Sequence, residues 1–209
     1  MGSSWSLVYV GDPLCSWCYG FAPQLERVRA AYAHLPLQLV MGGLRQDERP
    51  MDERLRAHLR RHWGEVAART GQPFDLGWLR REDFVYTTEP ACRAVITVRE
   101  LQPRLGLPMF RAIQTAFYAQ GRDVTRTEVL VELAASIGLP RQAFEPAFTS
   151  PELREATIDD VALAQRWGIT GFPTLIAASE GEGHIVAPGC VDADTVIAQL
   201  RRLGVPGPR

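Results

Sequence analysis

The chain has no lysine: all 23 of its basic residues are arginine. Schiff-base chemistry and a lysine general base are thereby excluded. Thiols, carboxylates and four histidines remain as the main groups that titrate near neutral pH. No charge of either sign dominates. The formal net charge is -1, so the whole chain carries no electrostatic footprint for nucleic acid or an anionic membrane. Long apolar runs are missing too, and none approaches the roughly 20 residues of a membrane-spanning helix. Met1-Gly2-Ser3-Ser4-Trp5 has neither a charged leader segment nor an apolar one. The first cysteine follows so soon that no cleavable leader fits ahead of it, and the expected location is cytoplasmic. Cysteine is scarce: Cys15, Cys18, Cys92 and Cys190. Only the first two are close in sequence. A structural zinc site, which takes four ligands, is therefore not expected, and a chain of 209 residues needs no disulfide staples. Internal repeats and low-complexity stretches are absent.

What is present supports a packed core. Hydrophobic residues make up 46% of the chain and charged residues 22%, which argues against disorder. The most informative stretch is Cys15-Ser16-Trp17-Cys18. Leu7-Val8-Tyr9-Val10 ahead of it reads as a buried strand, and Gly11-Asp12-Pro13 as a turn, with Asp12 a candidate helix cap. Phe21, Leu25, Val28 and Tyr32 behind it have helical spacing. Two thiols at the start of a helix are suited to redox exchange. Free N–H groups and partial positive charge there favour a thiolate. The second thiol, one turn on, can expel a mixed-disulfide partner by closing the ring.

The helix is expected to run to about Ala33, kinked by Pro23. Leu37–Met41 reads as a second strand, parallel to the first and joined by a right-handed crossover. The next hundred residues look all-helical. Segments at 54–69, 89–101, 109–120 and 127–137 have helical spacing, punctuated by Gly121, Gly138 and Pro140. A helix over 152–167 follows. A loop at 168–173, a strand at 174–177, a turn at 180–183, a strand at 184–186 and a helix at 192–203 complete the pattern, and the tail from Gly204 is expected to be loose. The expected fold is α/β, with residues 1–44 and 150–209 forming one β-α-β / α-β-β-α domain and 45–149 a large helical insertion.

Two motifs carry a family likeness: Asp12-Pro13-Leu14-Cys15-Ser16-Trp17-Cys18-Tyr19-Gly20, and Trp167-Gly168-Ile169-Thr170-Gly171-Phe172-Pro173-Thr174. With the order of elements, they make nearly the whole chain resemble the DsbA-like branch of the thioredoxin superfamily. The match is nearest the cytosolic FrnE-like proteins and the relatives of 2-hydroxychromene-2-carboxylate isomerase. Thr88-Glu89-Pro90-Ala91-Cys92-Arg93-Ala94 also looks familial.

The resemblance implies that Cys15 is an exposed nucleophile and Cys18 the buried resolving thiol. It implies a cis Pro173 facing them, with Phe172, Pro173 and Thr174 contacting a bound peptide or thiol in a strand-like way. Asp12, Pro13 and Ser16 support the pair. Periplasmic members usually have a histidine between the cysteines. Ser16-Trp17 supplies no such cation, so a milder potential is expected, nearer a reductase or isomerase. Serine takes the place of Cys15 in the isomerase and kappa-class glutathione transferase relatives, and the cysteine here argues against that activity.

Other residues read more plainly. Trp17, between the thiols, is expected to be largely exposed and to touch substrate. Trp63, Trp78 and Trp167 are expected in packing. Cys92 reads as a buried, inert thiol and Cys190 as partly exposed. His58 and His62 stand four apart, but neighbouring arginines disfavour a metal and make them a solvated helix face. The expected function is thiol–disulfide exchange with protein thiols and disulfides or with glutathione, needing no cofactor beyond glutathione as a candidate co-substrate. A monomer or weak homodimer is expected. Two alternatives stand beside it: a glutathione-dependent isomerase or transferase, and a non-enzymatic adaptor.

Overall fold

A computed structural model describes residues 5–207. Four strands form one mixed sheet in the order β2-β1-β3-β4. The central strand β1 (Ser6–Gly11) runs parallel to β2 (Leu37–Met41) and antiparallel to β3 (Thr174–Ser179), which pairs with β4 (Glu182–Pro188). Alternation along β1 serves two cores. Leu7 and Tyr9 enter the large one, while Val8 and Val10 pack with Val40, Ala164, Ile169 and Ile176 on the other face.

Helix α1 (Ser16–Ala31) leaves the end of β1 through a tight loop and buries a broad face from Ser16 to Val28. It continues through Pro23 and stops two residues short of the expected end. Helix α2 (Glu53–Thr70) opens where the Asp52 carboxylate accepts from Leu55 N–H at 2.7 Å and closes at Gly71, whose φ of 71° suits a residue without Cβ. Helix α3 (Glu89–Leu101) is buried on nearly every side, with Pro90 in its first turn. Helices α4 (Gly106–Gln114), α5 (Thr127–Ser136) and α6 (Arg141–Thr149) surround it, and α7 (Pro151–Arg166) and α8 (Ala193–Arg202) return to the sheet. Residues from the helical stretch and the sheet share one large apolar core.

Four expectations need correction. The helix at 109–120 begins earlier, at Gly106, and its last turn, Thr115–Ala119, is π-helical. Helix α6 lies where no element was expected and contains Pro146. Phe144 and Phe148, one turn apart and stacked at 5.2 Å, bury it. The hairpin turn is tighter than 180–183: β4 starts at Glu182, and Glu180 and Gly181 both have positive φ. Trp167 does not pack; it is 44% exposed at the end of α7, where Gly168 turns the chain.

Candidate functional site

The site forms where β1 ends. The chain turns at Asp12, with Cys15 N–H donating to the Asp12 carbonyl at 3.0 Å. Cys15 then takes the N-cap position of α1, with extended backbone and no capping side chain. Asp12 therefore does not cap the helix. Its carboxylate is fully buried and holds the loop instead, accepting from Leu14 N–H at 2.8 Å, Leu44 N–H at 2.7 Å and the Cys92 thiol at 3.3 Å. Burial raises its pKa against those hydrogen bonds and one from Thr88.

Two tyrosines from the helical stretch close on the same loop. Tyr86 and Tyr118 hydroxyls both donate to the Leu14 carbonyl, at 2.6 and 2.5 Å, just before Cys15. Tyr118 rides on the π-helical turn, a distortion that in other proteins often marks a functional site. Burial pushes both hydroxyls up, and each lies near enough to Cys15 for charge there to oppose ionisation.

Phe172-Pro173 is cis, and the Phe172 carbonyl lies 3.6 Å from Cys15 Sγ. The Gly189 N–H donates to the Pro173 carbonyl at 2.7 Å. Thr174, buried at the start of β3, spends its hydroxyl on the Gly171 carbonyl at 2.8 Å. The Phe172 ring lies against Gly42: a Cβ there would come within 2.1 Å of it. Only glycine admits that approach.

Accessibility differs from expectation. Cys15 is only 6% exposed, with the Phe172 carbonyl against its sulfur. Cys18 is 1% exposed. Trp17 is half-buried and not largely exposed. His62 meets its ring edge-on at 5.9 Å, and the Arg69 guanidinium lies 5.6 Å from its centroid. Ser16 is buried in the first turn of α1.

The Cys18 thiol is pushed well up by burial, then by its hydrogen bond to Cys15 and charge there. Hydrogen bonds from the Asp12 backbone and the Tyr9 hydroxyl oppose this. Cys92 is fully buried, and burial with the Asp12 carboxylate beside it raises its pKa well above the usual thiol range. Cys190 is half-buried, raised by burial, within electrostatic reach of Arg69 and Cys15. His58 is exposed and stacks on half-buried His62 at 5.7 Å. Among the described residues no group of three or more His, Cys, Asp or Glu could hold a metal, and no helix is long and apolar enough to cross a membrane.

Of the residues named from the motifs, the structure sets Cys15 against the Phe172 carbonyl beside Pro173, with Cys18 one turn on, while Trp17 lies against His62 and Arg69. Tyr9, Gly42, His62, Arg69, Tyr86 and Tyr118 were missed as parts of the site. Of these only Gly42, in a Gly-Gly pair after a strand, had a local signal.

A family profile described as a DSBA-like thioredoxin domain matches residues 7–201. A solved structure from Nitrosomonas europaea, described as a candidate protein disulfide isomerase, is 35% identical, with a TM-score of 0.88 over 96% of this chain and 98% of its own. The cytosolic disulfide reductase DsbM of Pseudomonas aeruginosa is 31% identical, with a TM-score of 0.80 over 96% of this chain and all of its own. DsbM has also been solved with glutathione, at 32% identity, a TM-score of 0.76, and coverage of 95% and 99%. Among curated proteins, the ClpXP adapter protein SpxH of Bacillus licheniformis is 24% identical over 82% of this chain. The chain spans about three-fifths of the length of the curated relatives it matches, 58% in that case.

Proposed function

The chain belongs to the DSBA-like thioredoxin domain family, and from that premise we propose that it exchanges disulfides through Cys15 and Cys18. One observation carries the reading. The more accessible thiol sits at the N-cap of α1 against the Phe172 carbonyl, and the second lies buried one turn on.

The reaction has three steps. The Cys15 thiolate attacks a substrate disulfide RSSR, forming Cys15–S–S–R and releasing RS⁻. Cys18 loses its proton and attacks the Cys15 sulfur, so the Cys15–Cys18 disulfide forms and the second RS⁻ leaves to become a thiol. Two thiols such as glutathione then return the pair to its reduced form and are themselves oxidised to a disulfide. Phe172 and Pro173 line the place where the substrate sulfur sits; Trp17 and Thr174 flank it.

The reductive direction fits the absence of a cation between the cysteines. Glutathione as co-substrate and a cytosolic setting are proposed on the likeness to DsbM. Insulin reduction driven by glutathione tests the proposal. Cys15→Ser is expected to fall to background; activity equal to wild type would contradict it.

The SpxH relatives favour a second reading, that of an adaptor that carries a client to a protease. Client capture that survives the double change Cys15→Ala and Cys18→Ala would favour it over disulfide exchange.

A further inference from the structure

The buried thiol has a problem that the first thiol does not. Resolution requires Cys18 to attack as an anion, yet its sulfur is 1% exposed and no water can solvate the charge. Some group inside the protein must receive it. Asp12 contributes a backbone N–H to that sulfur, but its carboxylate is engaged with Leu14, Leu44 and Cys92.

A side chain on β1 offers itself. Tyr9, in the middle of β1, is also 1% exposed, and its ring lies beside the Cys18 sulfur, where its hydroxyl favours the thiolate. The packing around Gly11 sets both groups against one point. A Cβ built there would stand 3.1 Å from the hydroxyl-bearing carbon of Tyr9 and 3.2 Å from Cys18 Sγ. The ring has no freedom to leave. It stacks with Phe21 at 6.2 Å and meets Phe110 edge-on at 5.6 Å. Arg111 lies within electrostatic reach of Tyr9, and its cation favours negative charge on the Tyr9 side. Arg111 is held by Glu26 and by the Ala22 carbonyl at 2.9 Å.

The geometry points to Tyr9 as a positioning residue for the resolving thiol: its hydroxyl donates to Cys18 Sγ and stabilises the thiolate as it attacks the Cys15–S–S–R bond. This rests on the proposed reading of Cys18. The step balances without further reagents. Cys18–SH and Cys15–S–S–R give the Cys15–Cys18 disulfide and RSH; the proton lost by Cys18 ends on the leaving thiolate, and Tyr9 keeps its own. Hydrogen bonds to a charged group are about twice as strong as neutral ones, so the bond tightens as the charge develops.

The charged and titratable groups facing the pair are Cys15 at the start of α1, Asp12 in the loop and Arg111 on α4. The test is single-turnover reaction of the reduced protein with glutathione disulfide, with quenched mass analysis of the Cys15–glutathione adduct across pH. Wild type, Tyr9→Phe and Cys18→Ala are compared. Tyr9→Phe keeps the ring, so adduct formation should match wild type. Ring closure should slow about tenfold or more, the effect of one hydrogen bond to a charged group. Its rise with pH should move to higher pH. Incorporation of 3-fluorotyrosine at position 9, a stronger donor of nearly the same size, should move the rise to lower pH, which a purely structural role would not do.

The inference is overturned if ring closure in Tyr9→Phe keeps the wild-type rate and pH profile while Cys18→Ala holds the adduct. If Cys18→Ala clears the adduct as fast as wild type, the reading of Cys18 itself fails, and this inference with it.

Discussion

A carboxylate taken out of water is tolerated only where hydrogen bonds replace its hydration, and Asp12 shows what that replacement achieves. Leu14, Leu44 and Cys92 donate to it from the loop before Cys15, the segment after β2 and α3, so one side chain ties three parts of the site together. Asp12→Ala leaves the Leu14 and Leu44 N–H groups without acceptors, and the expected destabilisation is about 2–4 kcal/mol, measured by urea unfolding. The pH dependence has a definite sign. The folded state holds this proton more tightly than the unfolded chain, whose carboxyl has a pKa of 3.8. That contribution to stability is complete below 3.8 and is lost as pH rises through the higher folded value. In Asp12→Ala this part of the slope should vanish; an unchanged slope would contradict the assignment. Gly42 makes a different demand. Gly42→Ala must displace the Phe172 ring, so insulin reduction should fall by about tenfold while the thiols remain intact, as one ångström of misplacement can do. Cys92 faces the back of Asp12 as a donor. Cys92→Ala should leave turnover within about twofold of wild type, since the thiol is shut off from solvent and bonded to the Asp12 carboxylate.

At the scale of elements, the stretch between β2 and α7 does more than fill space. Its π-helical turn delivers Tyr118, and the segment before α3 delivers Tyr86, to the same carbonyl of the nucleophile loop. Changing both to phenylalanine should cost about 2 kcal/mol of stability and loosen Cys15, lowering kcat more than it raises KM in a glutathione-driven assay. A second tie joins α3 to α7 and β2. Arg99 donates to Asp160 at 2.7 Å and to the Leu39 carbonyl at 2.7 Å, and Asp160 also accepts from Met41 N–H at 2.9 Å. Asp160→Ala should destabilise by roughly 3 kcal/mol, because it strands a largely buried guanidinium and an amide.

The legibility of these elements in the sequence follows their physics. Leu37–Met41 and Glu89–Leu101 have periodicity and punctuation that no tertiary contact overrides, and both boundaries were read correctly. The Cys15–Cys18 spacing is local and was equally readable. Helix α6 was missed, since what holds it is the burial of Phe144 and Phe148 and not propensity. Tyr9, Tyr86 and Tyr118 could not be assigned, and Asp12 was read as a helix cap and not as the tie between loops, because the Leu44 and Cys92 groups it holds are brought to it only by the completed fold.

Among the described residues, one apolar core runs from the sheet into the helical stretch. Tyr9 and Phe21 pack with Phe110, and Tyr19 stacks on Tyr118 at 5.0 Å, within one continuous core. Thermal unfolding should therefore be a single transition, with tryptophan fluorescence from Trp63 and Trp78 coinciding with far-ultraviolet circular dichroism. Two separated transitions would show that the helical stretch melts alone. The same continuity lets distant side chains act on one sulfur pair, and that pair is where the account is most exposed to test. The direct measurement is peptide mapping of Cys18→Ala after exposure to glutathione disulfide. A single adduct on Cys15, released by reductant, is the predicted result; an unmodified Cys15, or an adduct carried by Cys92 or Cys190 in its place, would contradict the account.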